Sequence, residues 1–255
     1  MKKRYLYVIF VILLFPSFTF STSIDELFKM GNEKYKQGKY DEAIQFYETI
    51  IKKGVKNGYL FYNLGNAYFK NKQLGKAILN YERARLYLPN DEDIKFNLQF
   101  VSALKVDKIQ SPKYNPFTKV ILFIYNIFDV NTLFIISYIL LWIIVGIFII
   151  KWIVKNLQLQ DIASRIFPYI GILFIIFTLI LIIKIYNTEN LKYSIVLSQE
   201  SEVRSGPGKD YTVIFTLHEG TKVRERNYSG KWTQITLPNG YSGWIKSSDI
   251  ESIEK

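Results

Sequence analysis

His218 is the one histidine in a chain of 255 residues that has no cysteine. A single imidazole cannot assemble a zinc site, a Cys–His nucleophile is excluded, and a Ser–His pair is confined to that one position. Beside Glu219 and just ahead of a turn, His218 is either a pH-responsive group or an inert loop side chain. Gly206-Pro207-Gly208 has the glycines of a phosphate loop, but it joins two strand-like runs and opens no helix, so it carries no nucleotide signal. No acid/base pair and no metal-ligand cluster converge by spacing. The expectation is a non-catalytic chain with no cofactor and no metal. The chemistry that is left is recognition.

The elements that would carry recognition begin with a repeat. Gly31-Asn32, Ala43-Ile44 and Tyr47-Glu48 return 34 residues later as Gly65-Asn66, Ala77-Ile78 and Tyr81-Glu82. Phe28, Tyr35 and Lys36 are answered by Tyr62, Phe69 and Lys70. This period and pattern resemble the tetratricopeptide repeat, a pair of antiparallel helices. In the first unit the helices are expected at Asp25–Lys36 and Tyr40–Lys53, with Gly38 in the turn, where positive φ is useful. Gly31 and Gly65 are expected to let the second helix approach closely, as are Ala43 and Ala77 from the other side. Tyr47 and Tyr81 are expected to fill the space between neighbouring pairs. Pro89 stops the second unit. Asp93–Lys105, with Ile94, Phe96, Leu98, Phe100, Val101 and Leu104, reads as a partial third unit or a cap. The repeat domain is placed at 24–108.

The resemblance implies that the first helix of each pair lines a concave partner-binding groove. The matching positions are Phe28, Asn32, Tyr35 and Lys36, then Tyr62, Asn63, Asn66, Phe69 and Lys70. Relatives that clamp a terminal carboxylate use asparagines and lysines. Asn32 and Asn63 match the asparagines, but Phe28 stands where a lysine belongs. An extended or helical segment of another protein is the better expected ligand. Tyr35 and Phe69 can equally pack between repeats.

Charge and hydropathy place the repeats. The net charge of +11 is spread thinly: residues 21–130 hold 17 basic and 12 acidic side chains, and residues 191–255 hold nine and eight. No basic stripe tracks a phosphate backbone, so nucleic acid is not an expected partner. Residues 1–23 read as a signal peptide or N-terminal anchor: Lys2-Lys3-Arg4, an apolar run, then Pro16 and small polar residues. Asn131–Ile150 and Ile166–Ile183 are uncharged and long enough to span a bilayer as a hairpin within 131–186. Their connector carries Lys151, Lys155 and Arg165 against Asp161, which favours a cytoplasmic loop. Both flanking regions are then expected outside the cytoplasm, at the bacterial inner membrane. A linker, 109–130, holds Pro112, Pro116 and the apolar run 117–128, a candidate interfacial helix.

From residue 190 the period changes to two. Five strands are expected at Tyr193–Leu197, Thr212–Leu217, Lys222–Arg226, Lys231–Leu237 and Tyr241–Ile245, separated by Gly- and Pro-containing turns. Val203-Arg204-Ser205-Gly206-Pro207-Gly208, Gly220-Thr221-Lys222-Val223, Lys231-Trp232 and Gly240-Tyr241-Ser242-Gly243-Trp244-Ile245 resemble a bacterial SH3-like domain over 190–255. That resemblance implies binding to proteins or cell-wall peptides. Arg204, Trp232 and Trp244 belong either to a binding surface or to the barrel core.

The expected fold is thus multidomain α plus β: an all-α tetratricopeptide repeat, a transmembrane helical hairpin and a small all-β SH3-like barrel. This order resembles the BatE proteins of the Bacteroides aerotolerance group. The resemblance implies an inner-membrane protein working in a complex with other Bat components. The expected function is a membrane-anchored scaffold that binds other envelope proteins, with peptidoglycan and the lipid bilayer as further partners. Its two soluble modules are expected to act as tethered neighbours on one membrane face. A cell-wall-binding envelope sensor is the alternative.

Overall fold

A computed structural model describes residues 23–109, 115–153 and 157–254. The expected signal or anchor lies outside the described residues except for Ser23, and Pro112 and Lys155 lie outside them too. The chain divides into two compact units, Met1–Lys56 and Asn57–Lys255.

In the first unit, α1 (Ile24–Lys36) and α2 (Tyr40–Lys52) form one helix pair. Ser23 caps α1 by accepting the Glu26 N–H at 3.1 Å, and Asp25 and Glu26 complement the helix dipole. Gly38 turns the chain at φ 75°, as its position predicts. Ala43, Ile44, Tyr47 and Ile50 of α2 are buried. The Tyr47 ring lies on Gly31 of its own pair, where an added Cβ would come within 2.6 Å.

The second unit opens with α3 (Gly58–Lys70), α4 (Leu74–Tyr87) and α5 (Glu92–Ala103). Asn57 caps α3 through the Leu60 N–H, and Asp91 caps α5 through the Ile94 N–H. The Tyr81 ring lies on Gly65 as Tyr47 lies on Gly31. Each tyrosine thus seats on the glycine of its own pair, where the missing side chain leaves room for the ring. On α5, Ile94, Leu98 and Val101 are buried at helical spacing. On α4, Ala77 to Ala84 are all buried. A repeat helix ordinarily buries a stripe, so a second element must cover the other side of α4.

Three apolar helices follow: α6 (Pro116–Ile127), α7 (Val130–Ile153) and α8 (Leu157–Asn190). Val130–Ile153 and Gln158–Asn187 are each long and apolar enough to cross a membrane. The 15-residue connector expected between shorter spans is mostly helix. Lys151 lies in the last turn of α7, and Asp161 pairs with Arg165 at 2.8 Å on α8. At 34 residues α8 measures about 51 Å and outreaches the roughly 30 Å hydrocarbon layer. The end of α6 is fixed to the hairpin. Ile124, Tyr125 and Phe128 pack against Leu133, Ile180 and Leu181, and the Lys184 ammonium donates to the Tyr125 and Phe128 carbonyls.

The chain ends in seven antiparallel strands: β1 (Tyr193–Val196), β2 (Glu200–Arg204), β3 (Val213–His218), β4 (Lys222–Ser229), β5 (Trp232–Thr236), β6 (Ser242–Lys246) and β7 (Ile250–Ser252). Their order is β3-β2-β6-β5-β4-β1-β7. The five expected strands omit β2, whose sequence ESEVR is polar at every position but Val203, and β7, which is only three residues long. Val196, Val203, Leu217, Val223, Ile235, Leu237 and Ile245 form the core.

Candidate partner-binding surfaces

Strand pleat decides where the tryptophans go. β5 buries Thr233 and Ile235 and turns Trp232, Gln234 and Thr236 to the other face. β6 buries Gly243 and Ile245 and turns out Trp244, which pairs in register with Gln234 and with Arg204 of β2. Trp232 and Trp244 are therefore half-buried on one face, opposite the one that carries Ile235 and Ile245. Arg204 has a local task. Its guanidinium bonds the Lys209 and Tyr211 carbonyls at 2.6 and 2.7 Å and pairs with Glu202, pinning the loop in which Tyr211 packs on Gly206.

On the helical side, the groove positions are less free than their residue types suggest. In the first unit, Tyr47 donates to Asn32 at 2.7 Å, Phe28 packs on the Tyr47 ring at 5.9 Å, and Tyr35 meets Tyr40 edge-on. Burial pushes the Tyr47 phenol well above its ordinary value, so it stays protonated and keeps donating. Lys36 alone of the four is exposed.

In the second unit, Tyr81 donates to Asn66 at 2.6 Å, and the Tyr62 ring tilts onto Tyr81. α5 then joins the same face. Asn97 donates to the Tyr62 hydroxyl at 3.0 Å and to Asn66 at 3.2 Å, and Phe100 meets Phe69 edge-on at 5.8 Å. Asn63 is half-buried and Lys70 exposed on that helix. The structure thus brings Tyr62, Asn66 and Phe69 together with two residues absent from the expected groove, Asn97 and Phe100, and leaves Phe96 exposed on the same helix. Their signal was in the sequence, since they stand 34 residues after Tyr62, Asn63 and Asn66.

The cover on α4 is the sheet itself. α4 has no side-chain N-cap and no acid in its first turn, where α2 has Asp41 and Glu42. Glu219, in the turn after β3, supplies the missing carboxylate by accepting the Gly75 N–H at 2.9 Å. Further along, the buried Arg83 donates to Glu251 at 2.9 Å and to the Ser252 and Ile253 carbonyls at 2.6 and 3.2 Å. Lys222 reaches Glu82 at 3.1 Å.

His218, far from standing alone, is held by the chain after α5. Its N–H donates to Asp107 at 2.8 Å, its Nδ1 lies 2.9 Å from the other carboxylate oxygen, and the Thr221 hydroxyl donates at 2.6 Å. Burial pushes the Asp107 carboxyl up, but these hydrogen bonds outweigh it and hold the group below its ordinary range. Burial also pushes the nearby Lys105 ammonium down, against the pull of Glu82 and Asp107. Within the second unit, α4 and the sheet are docked.

Among the described residues, no group of three or more acidic or histidine side chains converges as a metal site. What the geometry offers is contact surface: aromatic, amide and lysine side chains on helices, and tryptophans on a sheet. Helical repeats, an apolar hairpin and an SH3-like sheet define a multidomain binding protein with helices suited to anchoring in a membrane. Comparison with family models agrees. Residues 31–72 match the TPR repeat, and residues 201–251 match the bacterial SH3 domain. A search of curated proteins gives no match. Both modules are ones that generally mediate protein interactions or cell-wall binding.

Proposed function

We propose that this chain is a non-catalytic, membrane-anchored scaffold of the bacterial envelope. It holds a segment of another envelope protein on the face shared by α3 and α5, within an assembly of the Bat type. The observation that carries this reading is the continuity of that face. Tyr62, Asn66 and Phe69 connect directly to Asn97 and Phe100, while Phe96 and Lys70 stay exposed beside them. A surface of rigid aromatics ringed by amides and lysine suits a peptide segment. The basic residues Lys151 and Arg165 between the spans support a cytoplasmic connector, with both soluble modules outside.

The test is recovery of co-purifying proteins from detergent extracts of the full chain against a Lys70→Glu, Phe96→Ser double variant. Both side chains are exposed, so the fold should survive. Recovery is expected to fall about tenfold or more, the loss of one hot-spot contact. Unchanged recovery would remove the groove reading.

The half-buried pair Trp232 and Trp244 favours a second reading, the cell-wall-binding sensor, because large aromatics on a sheet face are available to stack on a ligand. Pelleting of the detergent-solubilised chain with purified sacculi, lost in a Trp232→Ala, Trp244→Ala variant, would support it. No pelleting of the unaltered chain would count against it.

A further inference from the structure

With 12 residues, α6 measures about 18 Å, too short to cross the roughly 30 Å hydrocarbon layer. Hydropathy makes it only a candidate for the membrane interface; its packing decides what each side meets. One side holds Ile124 and Tyr125, which pack with Phe128 against the hairpin. The next side is bare. Val120 is 58% exposed, Phe123 64% and Ile127 50%, three and four residues apart on one face. The remaining side carries Thr118 and the exposed Lys119 beside the partly buried Leu122. The C-terminal end is clipped. The Lys184 ammonium donates to the Tyr125 and Phe128 carbonyls at 2.5 Å and lies 4.8 Å from the centre of the Tyr125 ring, and Asn187 donates to the Tyr125 hydroxyl at 3.3 Å.

We propose that α6 lies in the lipid interface at the end of the hairpin that leads into the sheet, clipped there by Lys184, with Val120, Phe123 and Ile127 among the acyl chains just below the headgroups. The proposal rests on the reading of the hairpin as membrane-spanning. Continuity names the occupant. The end of α6 packs on Leu133, Ile180 and Leu181, residues inside the two apolar helices, so its bare side extends the surface that those helices offer to lipid. Of α6, that cluster takes only Ile124 and Tyr125, so the rest of the helix leads away from the hairpin. Position along α8 sets the depth. Ile166–Ile183 is uncharged, and Lys184 is followed by Asn187 and Glu189, so α8 leaves the hydrocarbon at Lys184, the level at which α6 is held. Carbonyls that end a helix in water need no ammonium. At the edge of hydrocarbon they need an internal donor, and Lys184 is one. Val120, Phe123 and Ile127 offer no polar group to orient a protein partner, and lipid requires none.

The absence of cysteine makes the test direct. The full chain carrying Phe123→Cys, Lys119→Cys or, in the middle of α7, Leu141→Cys is labelled with an environment-sensitive fluorophore and reconstituted into vesicles of phosphatidylcholine and phosphatidylglycerol. Quenching is read with lipids that carry a nitroxide near the headgroup or near the chain end, and with aqueous iodide. The shallow nitroxide is expected to quench the Phe123 site about twofold or more better than the deep one, the deep nitroxide to win at Leu141, and iodide to win at Lys119. Adding Lys184→Met should raise iodide quenching at Phe123 several-fold and leave Leu141 as it was; no change at Phe123 would overturn the clip. Quenching of Phe123 by iodide alone, or by none of the three, with Leu141 still quenched by lipid, would overturn the inference and leave the hairpin standing. No lipid quenching at Leu141 would overturn the hairpin reading and this inference with it.

Discussion

Four residues make each helix pair in this protein, and they return at the same spacing. Tyr47 seats on Gly31, bonds Asn32 and packs on Phe28; Tyr81 seats on Gly65, bonds Asn66 and packs on Tyr62. That the glycine and tyrosine recur was legible, but that they meet each other was not, nor that the asparagine bonds the tyrosine. Asn32 and Asn66 looked like groove residues because the repeat shows which residues recur and not which atom each one faces. Tyr81→Phe should cost about 1 kcal/mol in urea unfolding, the worth of one buried hydrogen bond. Gly65→Ala should cost more, about 1–3 kcal/mol, because the new methyl would sit 2.9 Å from the Tyr81 ring. Equal costs would mean that the ring has room to move. Asp107 gives a pH signature. Its folded pKa is depressed, so its contribution is complete at neutral pH and is lost as pH falls through the folded value. The unfolding midpoints of the unaltered chain and Asp107→Asn should differ at pH 7 and converge below about pH 4. A gap that does not change with pH would show that the charge on Asp107 contributes nothing.

At the scale of elements, α4 shows why part of the fold could not be read locally. Its first turn lacks the acids that α2 carries, which looks like a weak helix start. The carboxylate comes instead from Glu219, 144 residues away, and no periodicity reports a partner at that distance. The sheet was better marked. Alternation in WTQIT already sets Trp232 opposite in face to Ile235, so the outward tryptophans were readable from the strand period, and only the preference for large aromatics in small cores obscured them. Glu219→Ala should cost about 1 kcal/mol, as loss of an N-cap does, and should speed amide exchange at Gly75. Arg83→Ala should cost more than Glu251→Ala, since it also strips the donor from the Ser252 and Ile253 carbonyls. The reverse order would mean that the ion pair alone holds the contact.

At the scale of the whole molecule, two helices able to span a membrane lie between the repeats and the sheet, and the second unit nonetheless brings α4 and the sheet into contact. An even number of crossings would keep α4 and the sheet on one side. Cysteines placed at the exposed Lys70 and Tyr241 should both react with a membrane-impermeant maleimide in intact spheroplasts, and one at Gln160 should not. Reaction at Gln160 alone would invert the topology. The central claim, that the α3–α5 face holds protein, is met most directly by a photocrosslinking residue at Tyr62 in intact membranes, with Trp244 as the comparison site. The account predicts discrete protein adducts from Tyr62, identifiable by mass spectrometry. Adducts from Trp244 alone, with none from Tyr62, would contradict it.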